Sequence, residues 1–278
     1  MAISIITNTA SLNAQRNLMK TQNKMNGSMA RLSSGLRINS GADDAAGLAI
    51  SEKLKSQIRS IAQAQRNSND AVSLLQTAEG GMNEVSAMLV RMRELSVQSA
   101  TDTVGSTERA FLQQELSALR SEIDRIAEVT EFNGTALLDG TSTSLDFQVG
   151  INNTTNDRIT ASMTDIHSTA LGGVTALSAV DISTKAGAQS ALAVLDESIN
   201  DISSARANVG ALQNRLQTTI ANLASARENL SAANSRIRDV DVASESAQMA
   251  KSNILMQAGV SVLAQANQQP SIALSLLG

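Results

Sequence analysis

Leu195, Ile202, Val209, Leu216, Leu223, Leu230 and Ile237 recur at every seventh position of the stretch Ala188–Val240. A second series, Ala205, Leu212, Thr219, Ala226, Ala233 and Val240, stands three residues further on in each repeat. Alternating steps of three and four put both series on one stripe of an α-helix. A seven-residue repeat kept up this long drives a gentle left-handed supercoil around a partner helix. One series is large and the other mostly small, so the partner can come close. No proline and a single glycine, Gly210, lie between Gly187 and Ala243. Some fifty helical residues would run on the order of 75 Å. That exceeds the width of a compact domain of this chain length, so the stretch predicts an elongated molecule whose other segments supply the partner helices.

Those partners can be found on the N-terminal side. Asp43-Asp44 precede Ala45-Ala46-Gly47-Leu48, and acidic residues favour the positive end of a helix dipole, so a helix is expected to start there. Its stripe, Leu54, Ile58, Ile61, Val72, Leu75, Met82, Val85, Leu89 and Met92, carries it to about Ala100. Gly80-Gly81 should weaken or kink it. A further helix holds Leu112, Leu116, Leu119, Ile123 and Ile126 in four-three spacing. Three helices with matching stripes can bury one another's apolar faces.

From Phe132 the period changes to two. Asn133-Gly134 and Asp139-Gly140 are turn dipeptides. Leu145, Phe147, Val149 and Ile151 alternate with polar residues as in a half-buried strand, and Arg158-Ile159-Thr160-Ala161 reads as its return. Residues 162–187, rich in Ser, Thr, Gly and Ala, read as a surface connection.

The two ends mirror each other. Leu12, Leu18, Met19, Met25, Met29, Leu32 and Leu36 mark a weakly amphipathic helix, and Ala247, Ala250, Ile254, Ala258 and Val262 mark another. Neither should hold its shape alone, and each is a plausible partner for the other. Gln268-Gln269-Pro270 is expected to interrupt the second, with Leu274, Leu276 and Leu277 beyond it. The fold class is therefore mostly α, an elongated antiparallel helical bundle or coiled coil with a small β-hairpin region.

Composition argues against catalysis. With Trp 0, Tyr 0 and Phe 3, the chain lacks the aromatic residues that line enzyme pockets. His167 is the only histidine and Cys is 0, so zinc chemistry has almost no ligands. His167 is read as a solvated surface residue. Asp43 and Asp44 could be imagined as an acid–base pair, and Asp239 and Asp241 as a calcium site. We read the first pair as a helix start and the second as a solvated helix face. Gly80-Gly81 is no phosphate loop, because no Lys-Ser/Thr follows it. A net charge of −4 gives no reason to expect nucleic acid or an anionic membrane. No run reaches the roughly 18 apolar residues of a membrane span. The N-terminus lacks the basic and apolar regions of a cleavable signal peptide. No enzyme activity, cofactor or metal is expected.

The ends also carry specific motifs. Asn8-Thr9-Ala10-Ser11-Leu12-Asn13-Ala14-Gln15, Arg31-Leu32-Ser33-Ser34-Gly35-Leu36-Arg37-Ile38-Asn39-Ser40 and Asp43-Asp44-Ala45-Ala46-Gly47-Leu48-Ala49-Ile50 resemble bacterial flagellin. So do Arg91-Met92-Arg93-Glu94-Leu95-Ser96-Val97-Gln98-Ser99-Ala100 and Phe132-Asn133-Gly134. At the other end Ser235-Arg236-Ile237, Gln257-Ala258-Gly259, Ser261-Val262-Leu263-Ala264-Gln265-Ala266-Asn267 and Leu274-Ser275-Leu276-Leu277 are similar to the same family. Where that family often carries a large variable insertion, this chain has only residues 141–187.

The resemblance implies a structural subunit that self-assembles into the flagellar filament for motility. A hook–filament junction (hook-associated) protein, which shares the terminal helices, is the alternative. It implies a discontinuous terminal coiled-coil domain, residues 1–43 with 238–278, in the filament core. A central helical rod, residues 44–237, would carry the β-hairpin at about 132–165. Self-assembly would rest on Leu12, Leu18, Met25, Met29, Leu32, Leu36, Ile254, Val262, Leu263, Leu274, Leu276 and Leu277. The implied partners are further copies of the chain, the flagellar cap, hook-associated proteins and an export chaperone. Arg91, Leu95 and Glu115 match the patch read by the animal Toll-like receptor for flagellin. The implied location is extracellular, in the flagellum, after export without a cleavable signal peptide.

Overall fold

A computed structural model of the chain describes residues 7–142 and 144–275, with side chains through residue 269. Five α-helices dominate: α1 (Thr9–Ser34), α2 (Ala45–Ser99), α3 (Ser106–Val129), α4 (Lys185–Arg238) and α5 (Val242–Ser275). Four short strands, β1 (Glu131–Phe132), β2 (Thr135–Ala136), β3 (Ser144–Gln148) and β4 (Arg158–Ser162), lie between α3 and α4. The chain forms two compact units, one reaching to Ile58 and resuming at Glu228, the other holding Arg59–Arg227.

In the central unit the heptad stripe of α4 is the wall of the core. Leu195, Ile202 and Leu216 are fully buried and Val209 nearly so. They meet Leu75, Val85, Leu89 and Met92 of α2 and Leu116 and Ile123 of α3 in a single apolar cluster. Further along α4, Leu223 is only half-buried. Charged residues tie the rims of the bundle: Arg93 Nε stands 2.6 Å from Asp196 Oδ1, and Lys185 Nζ 2.6 Å from Asp102 Oδ2.

Gly80-Gly81 does not interrupt α2, which is helical from Ala45 to Ser99. The pair serves packing instead. A Cβ on Gly81 would stand 2.9 Å from Leu138 Cδ1 and 2.9 Å from Thr130 Oγ1. Only a glycine lets the segment after α3 come that close, and the tertiary contact outweighs the local helix penalty of about 1 kcal/mol.

Two ribbons stand where one hairpin was expected. β1 and β2 pair antiparallel around Asn133 and Gly134, whose φ values of 51° and 76° suit a two-residue turn with positive φ at both positions. β3 and β4 pair with Phe147 opposite Ile159. The Asp139-Gly140 turn separates them, fixed by Asp139 accepting from the amide (3.0 Å) and hydroxyl (2.7 Å) of Thr141.

The segment after β4 is not a surface connection. Met163, Ile166, Leu171, Leu177, Val180 and Ile182 all enter the core. Their spacing is irregular because the backbone is, so no period betrays them. Side chains of the bundle satisfy its backbone. Asp124 accepts from the Ser168 amide (2.7 Å), Gln113 accepts from the Ile182 amide (2.8 Å), and Ser99 Oγ donates to Ile182 O (2.6 Å). Such bonds remove the penalty of burying loop backbone. His167 shares this segment and is partly buried, with Nδ1 2.7 Å from Asp165 Oδ1, rather than solvated.

α5 continues through Pro270 to Ser275, so the expected interruption is absent. A proline removes one helical hydrogen bond, and the flanking turns carry the helix past it.

Candidate assembly surface

In the terminal unit α1 lies antiparallel along α5. Asn8 caps α1 by accepting from the Ser11 amide (3.0 Å), and its Nδ2 donates to Ala266 O (2.7 Å). Ser11 Oγ meets Asn267 Oδ1 at 2.7 Å. Lower down, a Cβ on Gly259 would come 3.3 Å from Leu18 Cδ1, so glycine permits the close approach of the two helices. Where α1 ends, Leu36 bridges Asp239 in an antiparallel pair, with the Arg37 amide donating to Arg238 O (2.6 Å) and the Val240 amide to Gly35 O (3.0 Å). Arg238 reaches Glu52 (2.6 Å), and Ser51 donates to Asn234 Oδ1 (2.8 Å).

The acidic pairs singled out in the sequence belong to this frame. Asp44 Oδ1 accepts from the Gly47 amide (2.8 Å) and caps α2, and Asp241 Oδ1 does the same for Ala243 (3.0 Å) at the head of α5. Asp43 accepts from Ser40 and Asn39, and the Ser40 amide above all holds its carboxyl below the ordinary carboxylate value.

The unit is built inside out. Its buried side chains among the described residues are Ser11, Ser28, Ile38, Ser51, Ser252 and Ala266. Nine of its large apolar side chains face outward: Leu12, Met19, Met29 and Ile50 on one side of the sequence, Val242, Ile254, Leu255, Val260 and Val262 on the other, each at least half exposed. Serines at the seam let the helices approach, and the apolar side chains left exposed are of the kind that marks an interaction site.

Of the residues expected to drive assembly, Leu12, Met29, Ile254 and Val262 are exposed, while Leu18, Met25, Leu32, Leu36 and Leu263 are half-buried. Only backbone is described at Leu274, and Leu276 and Leu277 lie outside the described residues. Ile50, Val242, Leu255 and Val260 belong to the exposed set and were not anticipated. Leu255 stands seven residues before Val262, so a heptad reading of α5 would have found it.

The second expected patch is divided. Arg91 Nε donates to Glu115 Oε1 (3.0 Å) and Nη1 to Glu94 Oε2 (3.0 Å), and hydrogen bonds to Glu94 first and Glu115 second raise its pKa. Leu95 is 1% exposed and packs in the central core, one turn from Met92, so an external partner cannot touch it while α2 is intact. Val90, Val97 and Phe111 are among the exposed apolar residues of the same helices.

Among the described residues no three His, Cys, Asp or Glu side chains are placed to hold a metal ion, and no helix is long and apolar enough to cross a membrane.

Residues 5–143 match the family model of the bacterial flagellin N-terminal helical region, and residues 192–277 match that of the C-terminal helical region. The chain belongs to the bacterial flagellin family. A flagellin from Halalkalibacterium halodurans is 48% identical over 270 residues, spanning 97% of this chain and 98% of its own. The short form without a large outer insertion is therefore shared with that flagellin. The crystal structure of Bacillus cereus flagellin is similar to 57% of this chain and 88% of its own, at 32% identity and a TM-score of 0.50. A putative flagellar hook-associated protein from Vibrio parahaemolyticus covers 71% of this chain and 100% of its own, with a TM-score of 0.62. At 18% identity that likeness concerns the fold alone.

Proposed function

We infer that this flagellin is a structural subunit that assembles with copies of itself into the bacterial flagellar filament, and that α1 and α5 carry the assembly. The observation behind this reading is the inside-out terminal unit, with serines at its seam and Leu12, Met19, Met29, Ile254, Leu255 and Val262 outside. Ordering these helices costs roughly 1–2 kcal/mol of backbone entropy per residue. Within one chain little apolar area is buried in return. Neighbouring copies that cover the outer faces would contribute about 25 cal/mol per Å². The ends are therefore marginal in the free subunit and firm in the polymer. A contact made head to tail need not close, so repetition yields an open helical filament.

Residues 1–43 and 238–278 form the assembly domain in this reading, and residues 44–237 support it. The compact terminal unit reaches further, to Ile58 and from Glu228, because Ser51, Glu52, Asn234 and Arg238 lock the junction. The flagellar cap, hook-associated proteins and an export chaperone are partners of the same ends. The subunit acts outside the cell, in the flagellum. It is not an enzyme and needs no metal, and stoichiometric zinc in purified polymer would overturn that. The Arg91–Glu115 surface, without Leu95, is the part of the central unit offered to the flagellin-sensing Toll-like receptor. The hook–filament junction reading rests on a likeness of fold alone.

Electron microscopy of the purified, concentrated chain tests the main reading. Long filaments are expected from the full chain. A chain trimmed to residues 41–239 should stay helical and monomeric. Filaments from the trimmed chain would take the assembly role away from the ends.

A further inference from the structure

We propose that Asn8 is a positioning residue for assembly. Its side-chain amide fills the backbone carbonyl that Pro270 leaves open on α5, and this clasp holds the serine face of α1 inward and its apolar face outward. The proposal rests on the filament-subunit reading and names what keeps the apolar face available to other copies.

Pro270 is the only proline of the chain, and it lies within α5. In an α-helix each carbonyl accepts from the amide four residues further on. For Ala266 that residue is Pro270, which has no N–H to give. Ala266 is buried, and an acceptor left empty in such a place is costly. Asn8 supplies the donor from the far end of the sequence. Its Nδ2 stands 2.7 Å from Ala266 O, while its Oδ1 accepts from the Ser11 amide at 3.0 Å and caps α1. One side chain therefore begins one helix and completes another. Ser11 Oγ, 2.7 Å from Asn267 Oδ1, adds a second bond beside the first.

Apolar burial within one chain would choose differently. Ser11 is 7% exposed, and its neighbour Leu12 is 52% exposed. Successive helical residues point about 100° apart around the axis, so a turn of α1 by that much would bury Leu12 in place of Ser11. Hiding a leucine gains more than hiding a serine, and the turned state would take Leu12 away from the surface that other copies cover. The clasp opposes it. Asn8 and Ser11 stand three residues apart and are tied to α5 at Ala266 and Asn267, so turning α1 breaks both bonds and leaves the Ala266 carbonyl without a donor. The bridge of Leu36 to Asp239 holds only the other end of α1, roughly 40 Å away. Selecting one helix arrangement over a more apolar alternative is a role that buried polar contacts fill elsewhere.

Asn8→Asp in the full-length chain tests this, because aspartate caps a helix as well as asparagine does but has no amide to donate. Circular dichroism checks that the central helices are kept. The variant should elongate parent filament seeds at least roughly tenfold more slowly. Pro270→Ala returns an N–H to the Ala266 carbonyl, so beside it the same Asn8→Asp change should slow elongation by only about threefold or less. A covalent clasp should stand in for the lost one. Since the chain has Cys 0, Ser11→Cys with Asn267→Cys sets its two thiols where the oxygens now lie 2.7 Å apart. Oxidised to a disulfide within the chain, the pair should restore elongation to Asn8→Asp, and reduction should abolish it again. The clasp is overturned, with the filament reading intact, by any of three results: Asn8→Asp that elongates like the parent, a loss as large beside Pro270→Ala as alone, or a closed disulfide that restores nothing. A parent chain that grows no filament would overturn both.

Discussion

Alanine at Gly80 and alanine at Gly81 should move stability in opposite directions, although the two residues are neighbours in one helix. Each change improves helix propensity by about 0.8–1 kcal/mol. At position 80 nothing lies within 4 Å of the new Cβ, so Gly80→Ala should gain nearly all of it. At position 81 the Cβ would stand 2.9 Å from both Leu138 Cδ1 and Thr130 Oγ1. Leu138 is fully buried, and Thr130 Oγ1 donates to Ile126 O at 2.6 Å, so neither can withdraw freely. Overpacking of this kind costs about 1–3 kcal/mol, which leaves Gly81→Ala between neutral and about 2 kcal/mol destabilised. The gap between the variants is then about 1–3 kcal/mol, and in a unit this size each kcal/mol shifts the melting midpoint by about 2–4 °C. Urea and thermal unfolding of the depolymerised subunit, followed by far-ultraviolet circular dichroism, reads it directly. If Gly81→Ala is as stable as Gly80→Ala, the segment after α3 does not press on α2, and the packing reason given for Gly81 is wrong.

Leu177→Ala should cost about 2–5 kcal/mol, because Leu177 is fully buried in the core. A loss under about 1 kcal/mol would return its segment to the surface. Acid should destabilise the subunit. The carboxyls of Asp43, Asp102, Asp181 and Asp196 all lie below the ordinary 3.8, held there chiefly by the Ser40 amide, Lys185, the Ser183 amide and Arg93. A folded pKa below the unfolded one gives stability that is complete above the unfolded value and lost as pH falls through the folded one. Melting midpoints should hold from neutrality to about pH 5 and drop below about pH 4, and a midpoint that rises on acidification would contradict the sign. Arg91→Glu sets a carboxylate against Glu94 and Glu115 and should weaken both receptor binding and polymerisation. A receptor assay in which it signals like the parent would remove Arg91 from that surface. Leu95→Ala should instead appear as lost stability, about 2–5 kcal/mol, since that side chain is inside.

How far the sequence could be read depended on what covers each residue. Leu195, Ile202 and Leu216 were legible because a regular helix meets regular partners from the same chain, so burial follows the heptad. Met163, Ile166, Leu171 and Leu177 were not, because burial there follows no period. It depends on Asp124, Gln113 and Ser99 arriving from distant helices to satisfy an irregular backbone. Leu95 was placed by motif rather than by face. The step of three from Met92 already put it on the buried side. The terminal helices are illegible in a different way. α5 has Ile254, Leu255, Val260 and Val262 exposed, with Met256 and Leu263 half-buried, so large apolar side chains point in several directions. By amphipathic contrast alone it ranks as a poor helix, and that was the reading of both ends. A surface helix would have a polar face opposite its seam. A helix apolar around much of its circumference is one meant to be surrounded. Here α1 covers one side through Ser11, Leu18 and Asn8, and among the described residues no segment of the same chain buries Ile254 or Val262. The weak contrast is therefore the signal itself, and in the proposed reading the covering surface is carried by other copies of the chain.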